Sequence, residues 1–215
     1  MRDSPAAPAR GWQAVHSFTA AADKANFQTS SYTAICEDVP ETNILMPLTS
    51  DKAGLTTRIN TLEGFGSTSG ALGTAMAWYT LSPNWGSVWG SGSIPGPYSD
   101  LAVIQPNGKP KLRKVAVLMS DGVYNTLRGW KGQSQQTVAG HAKQICTSMK
   151  AAGIEIYSVG FALNELPLAE REIAEDTLKS CGTDLQHFYS TLTADELKVA
   201  FKEIALSLTT VFLSQ

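Results

Sequence analysis

Side chains with oxygen atoms occur at two places in the sequence, one where a buried strand is expected to end and one where a helix is expected to begin. The apolar run 115–119 leads directly into Ser120-Asp121-Gly122, and Thr68 lies in the glycine-rich stretch 64–70. A carboxylate with a few hydroxyls makes an oxygen-only ligand set, which suits Mg²⁺, Ca²⁺ or Mn²⁺ better than zinc or copper. Thr68 and Asp121, with Ser120 as a further oxygen, are therefore candidate metal ligands. A turn after a strand and a helix cap explain the same residues without a metal, and the residues alone leave both interpretations open.

Motifs of catalysis are not found in the sequence. The histidines, His16, His141 and His187, lie far apart and share no motif, and there is no nucleophile elbow and no phosphate-binding loop. The pattern predicts a protein that is not an enzyme.

The three cysteines, Cys36, Cys146 and Cys181, form no CxxC pair, so a zinc knuckle or a redox motif is not expected. One disulfide with one free thiol, or three buried thiols, both remain open at this point.

Composition limits the class of protein. The chain has 215 residues, of which 43% are hydrophobic and 17% charged, and its net charge is -2. These values allow a sizeable core and give no basic surface of the kind that binds nucleic acid. No apolar run of about 18 residues is present, so no transmembrane segment is expected. The first residues do not have the pattern of a secretory signal peptide.

Strands that alternate with helices predict an α/β fold with a mostly parallel sheet covered by helices. In such sheets the functional loops lie at the carboxyl ends of the strands, where Asp121 is expected. The strand 115–119 is continuously apolar, which predicts burial on both of its faces. Helices are predicted over 52–62, 71–81, 136–152, 169–180 and 194–205, and strands over 115–119, 154–159, 187–189, 208–213 and, weakly, 13–18. Residues 1–42 are poorly defined by pattern, and 84–112 are a Gly/Ser/Pro-rich insertion.

Several stretches together resemble the von Willebrand factor type A (vWA) domain. KVAVLMSDGVYNT is similar to the strand-and-aspartate motif of that family, and GFGSTSGALGTAMAWYTLSP to its threonine loop and following helix. ILMPLTSDKAGLTTRINTL, ICTSMKAAGIEIYSVGF and KSCGTDLQHFYSTLTADELKVAF resemble, more narrowly, the TadG-like proteins of Flp/Tad pilus assembly. The resemblance covers residues 43–213. It implies a Rossmann-like fold and a metal-ion-dependent adhesion site, in which Thr68 matches the second ligand loop and Asp121 the third.

The first ligand loop of that family, Asp-x-Ser-x-Ser, has no match in this sequence. The resemblance therefore implies a partial vWA-like domain over residues 43–215 that lacks the first strand and helix. Mg²⁺ or another divalent cation is expected in an intact domain, whereas in this chain metal binding is expected to be weak or absent. Absence of a central strand is also expected to leave unpaired sheet edges. The family further implies a disulfide between Cys146 and Cys181.

The resemblance makes a non-enzymatic binding or assembly module of the bacterial cell envelope the leading hypothesis. The module would act in pilus biogenesis or adhesion, outside the cytoplasm, and its partner would be a protein that presents an acidic residue. Two alternatives stay open. One is a Rossmann-like domain that binds or converts a small ligand, and the other is a degenerate fragment with a structural role.

Overall fold

The computed structural model describes residues 45–62, 68–125 and 134–209. Its regular elements, in chain order, are helices α1 (Lys52–Asn60) and α2 (Gly70–Leu81), strand β1 (Val115–Ser120), helix α3 (Gln135–Ala151), strand β2 (Glu155–Phe161), helix α4 (Leu168–Cys181), strand β3 (Phe188–Thr191) and helix α5 (Ala194–Thr209). Short 3-10 helices occupy Pro83–Trp85, Ser91–Ser93, Tyr98–Ala102, Leu163–Glu165 and Leu185–His187. The weak strand predicted over 13–18 and the whole of the segment 1–42 lie outside the described residues.

The described chain divides into two compact units. One contains residues 45–62 and 84–95, with α1 and the 3-10 helix Ser91–Ser93. Asp51 caps α1 by accepting hydrogen bonds from the backbone N–H groups of Ala53 and Gly54. No residue of α1 is buried, and Ile59 is 64% exposed. The other unit contains the sheet and helices α2 to α5.

The sheet is parallel, with strand order β1-β2-β3. Helices α2, α3 and α4 pack against one another in sequence, and α2 and α4 contact β1 and β2 respectively. Helix α5 packs on β2 and β3 through a cluster of Tyr157, Val159 and Ile204. Successive residues of a strand face opposite sides, so Ser158, which donates to the Leu178 carbonyl of α4, lies on the face opposite this cluster. The predicted α/β fold with a parallel sheet flanked by helices is confirmed.

Burial of β1 on both faces was a wrong prediction. Ala116 and Leu118 are buried, but Val117 and Met119 are 39% and 47% exposed. These two residues are in register with Tyr157 and Val159 of β2, so they lie on the face of the sheet that α5 covers. Helix α5 covers that face over β2 and β3, and Val115 at the start of β1 packs against its cluster. Among the described residues, Val117 and Met119 further along β1 stay exposed on the same face.

The C-terminal strand predicted over 208–213 is also wrong as far as the structure describes it. Leu208 and Thr209 belong to α5, which continues past the predicted end at residue 205. Leu208 packs against the cluster formed by Tyr157, Val159 and Ile204. Its apolar side chain therefore extends the buried face of a helix, and a short apolar sequence does not by itself distinguish that role from a strand.

Candidate functional site

The site predicted from sequence lies where β1 ends and α2 begins. Asp121 follows β1 directly and is exposed, while Thr68 is half-buried two residues before α2. Two hydrogen bonds join these loops. The Thr68 N–H donates to the side-chain carbonyl oxygen Oδ1 of Asn125 at 2.9 Å, and the Asn125 N–H donates to the Thr68 carbonyl at 3.1 Å. The structure therefore brings the Thr68 loop beside the loop that carries Asp121.

A second contact fixes the same pair of loops. The ring of Tyr124 lies so close to Gly70 that a Cβ atom at position 70 would be 2.1 Å from two ring carbons. Burial is the main reason that the pKa of Tyr124 is raised, and the nearby Thr74 hydroxyl opposes that shift. Only glycine at position 70 permits this approach, because any other side chain would occupy the place of the ring.

The oxygen atoms of the two predicted ligands are available at this edge. In the described part of the chain, neither the Asp121 carboxylate nor the Thr68 hydroxyl makes a hydrogen bond or an ion pair. Helix α2 begins after Ser69, whose position caps the helix, so Thr68 does not serve as the cap. We call the exposed edge formed by Thr68, Asp121 and Asn125 the Thr68–Asp121 rim.

Ser120, the third candidate ligand, is used within its own turn. The Ser120 side chain is buried, its hydroxyl donates to the Gly122 carbonyl at 2.8 Å, and it accepts from the Gly122 N–H at 3.3 Å. The rim thus offers two ligand side chains, Thr68 and Asp121, whereas Mg²⁺ and Ca²⁺ take six or more oxygen ligands. Across the described ranges, no group of three or more His, Cys, Asp or Glu side chains is placed to hold a metal. The described residues of the rim therefore supply only part of a divalent-cation site.

The cysteine pair lies between α3 and α4. Cys146 and Cys181 are fully buried and form a disulfide, with their Cα atoms 5.0 Å apart. Helices α3 and α4 follow successive parallel strands and pack side by side, which brings the two cysteines together. The bond ties together the helices that support one face of the sheet.

A polar cluster at the opposite end of the sheet was not anticipated from sequence. Glu155, the first residue of β2, accepts two hydrogen bonds from the Arg113 guanidinium at 2.6 and 2.9 Å and one from the Tyr157 hydroxyl at 2.8 Å. His187 is placed between two carboxylates, with Nδ1 2.7 Å from Asp184 and Nε2 3.3 Å from Glu155. The sequence offered only scattered charges for these residues, because Arg113 and Glu155 are 42 positions apart and Glu155 and His187 are 32 positions apart.

The residues of this cluster shift one another's pKa values. Burial alone would raise the pKa of Glu155, but the hydrogen bonds from Arg113 and Tyr157 outweigh it, and the pKa is lowered. The bond to Glu155 raises the pKa of Arg113, and the bond to His187 lowers the pKa of Asp184. The Tyr157 hydroxyl contacts the Ser207 hydroxyl of α5 at 2.9 Å. The cluster therefore attaches α5 and the segment before β3 to the start of β2, a structural role.

No helix in the described part of the chain is both long and apolar enough to cross a bilayer.

Comparison with known proteins gives little further information. No family model matches the chain, and no curated protein matches it. Among solved structures, the chain is similar to proximal thread matrix protein 1 from the mussel byssus, with 15% sequence identity and a TM-score of 0.40. The match covers 74% of this chain and 29% of the mussel protein. These values carry no argument about family or function.

Proposed function

We propose that this chain is a non-enzymatic protein-binding module of the bacterial cell envelope, similar to the vWA-like part of TadG-like proteins in Flp/Tad pilus assembly. The Thr68–Asp121 rim is its binding surface, and the partner is a protein that presents hydrogen-bonding side chains to it. One observation carries the proposal. The two hydrogen bonds between Thr68 and Asn125 hold the threonine loop beside the loop of Asp121.

The chemistry of the rim favours binding over catalysis. Within the described residues the Asp121 carboxylate and the Thr68 hydroxyl are unpaired, and they can accept and donate hydrogen bonds to a partner. A hydroxyl nucleophile would need an adjacent base within hydrogen-bond reach to activate it. In the described part of the chain, no base is hydrogen-bonded to the Thr68 hydroxyl.

Two ligand side chains hold a divalent cation only weakly, so metal binding is expected to be weak or absent. Titration of Mg²⁺ and Mn²⁺ by calorimetry measures this directly. A dissociation constant in the micromolar range would contradict the incomplete site, and its loss in Asp121→Ala would show that the rim is more complete than its described residues indicate.

Site-specific photo-crosslinking tests the function itself. A benzophenone amino acid is placed at position 121 and, as a control, at the exposed position 172 on α4, in cells that produce the chain. The proposal predicts a crosslinked envelope protein, identified by mass spectrometry, from position 121 and not from position 172. Equal crosslinking from both positions, or none from position 121, would contradict a partner at the rim.

A further inference from the structure

A second surface, at the edge of the sheet opposite β1, has the features of a docking groove. A groove of about 410 Å³ runs between β3 and α5. Its lining includes Tyr189 and Ser190 from β3 and Asp195, Val199 and Glu203 from α5. Val199 is 54% exposed. This groove, which we call the β3–α5 groove, shares none of its lining with the Thr68–Asp121 rim.

The wall of the groove formed by β3 is a sheet edge. Within the described residues β3 pairs with β2 alone. Ala162 of the β2 side donates to the Thr191 carbonyl at 2.7 Å, so the backbone groups of Thr191 point towards β2. Adjacent residues of a strand direct their N–H and C=O groups to opposite edges, so those of Ser190 point away from β2. Ser190 makes no hydrogen bond on that outer side to any residue that the structure describes. An unpaired edge of this kind can accept another strand.

The wall formed by α5 is acidic. All three charged residues that line the groove, Asp195, Glu196 and Glu203, are carboxylates. Glu203 has no ion pair within the described ranges, and its charge helps to raise the pKa of Tyr189, after burial, which is the larger cause. Asp195 pairs only with Lys198, and both side chains are highly exposed, at 91% and 77%. An exposed pair of this kind contributes little and can be exchanged for another cation.

The spacing of these groups along α5 matches an extended peptide. Asp195 and Glu203 are eight residues apart, which is about 12 Å along a helix, and Val199 is midway between them. In an extended strand, residues i and i+4 face the same side and are about 13 Å apart, with residue i+2 midway. A segment with the pattern Lys-x-Val-x-Lys can therefore set an ammonium group against each carboxylate and its apolar residue against Val199.

We infer that the β3–α5 groove binds an extended, basic segment of a protein partner, which adds to the outer edge of β3 and pairs its cationic side chains with Asp195 and Glu203. Backbone hydrogen bonds to Ser190 supply affinity that does not depend on sequence, and the two carboxylates supply the preference for cationic residues. The groove and the rim are thus two separate interaction surfaces on one module.

The test uses fluorescence anisotropy with two labelled peptides, acetyl-KTVTKT-amide and acetyl-ETVTET-amide, and the full chain. The basic peptide is expected to bind and the acidic peptide to bind at least ten-fold more weakly. Glu203→Lys is expected to weaken binding of the basic peptide at least ten-fold. Glu172→Lys, the same change of charge at an exposed position of α4, is the matched control and is expected to change the affinity less than two-fold.

Amide NMR spectra of the unmodified chain provide a second readout that needs no variant. Addition of the basic peptide is expected to shift the amide signals of Ser190 and Val199 and to slow hydrogen exchange at Ser190. No binding, equal binding of the two peptides, or equal effects of Glu203→Lys and Glu172→Lys would overturn the inference. A dimer of the free chain that dissociates in Glu203→Lys would also overturn it, because the occupant of the groove would then be a second copy.

Discussion

Removal of the Cys146–Cys181 disulfide is expected to lower the free energy of unfolding substantially. The bond joins residues 35 positions apart. In the loop-entropy model, a closed loop of that length removes about 12.7 cal/mol/K of entropy from the unfolded chain, which is about 3.8 kcal/mol at 25 °C. Both sulfurs are fully buried between α3 and α4, so the double variant Cys146→Ala/Cys181→Ala also loses some packing. Since a loss of 1 kcal/mol lowers the Tm of a chain of this size by about 2–4 °C, a decrease of about 8–15 °C is expected.

Urea denaturation followed by circular dichroism measures the effect, with and without a thiol reductant. Reductant is expected to destabilise the natural chain by about 3–4 kcal/mol and to leave the double variant unchanged. Cys36→Ser is the control, because it removes the third thiol and leaves the bond intact. Equal stability of the natural chain in oxidised and fully reduced form, with the thiol count verified by mass spectrometry, would refute the reasoning.

Two further predictions concern single residues. Gly70→Ala is expected to cost about 1–3 kcal/mol, because the added Cβ would displace the Tyr124 ring, whereas Gly73→Ala in the same helix meets no atom within 4 Å and is expected to stabilise by up to about 1 kcal/mol. Thermal denaturation of both variants checks this, and equal effects would contradict the contact at Gly70. The lowered pKa of Glu155 means that its ion pair with Arg113 stabilises the fold above about pH 4.3 and that this contribution is lost as the pH falls through the lower, folded-state value. Glu155→Gln is therefore expected to be less stable than the natural chain at pH 7 and to lose less stability on acidification to pH 3, and parallel pH profiles would contradict the linkage.

Local signals in the sequence predicted the positions of the helices, and their ends within one or two residues except at the C-terminus of α5. Asp51 is a strong capping residue, and it caps α1, while Gly153, with φ of +81°, follows the end of α3 as glycine commonly does. The order of strands and helices predicted the parallel sheet. These features depend on a few neighbouring residues, so a single sequence contains the information.

The same local signals did not predict the tertiary contacts. Val117 and Met119 look like core residues in sequence, and their exposure follows from the reach of α5 across the sheet. Asn125 gave no signal, although it makes both hydrogen bonds that join the rim. No sequence pattern singled out Lys114 either, yet its ammonium is buried and donates to the Leu81 and Gly96 carbonyls at 2.6 Å. Each of these roles depends on which helices, strands and loops pack together, and the hydrophobic periodicity of the sequence does not predict that packing.

Crosslinking between positions 68 and 125 tests most directly whether the two loops form one rim. Thr68→Cys and Asn125→Cys are combined in the Cys36→Ser background, and Thr68→Cys with Glu172→Cys serves as the control. Because the Asn125 side chain bonds to the Thr68 backbone at 2.9 Å, rapid disulfide formation under mild oxidation is predicted for the first pair and not for the control. Failure of the first pair to crosslink in the folded chain, or equal rates for the two pairs, would show that Thr68 does not lie beside the Asp121 loop. Either result would contradict the proposed binding surface.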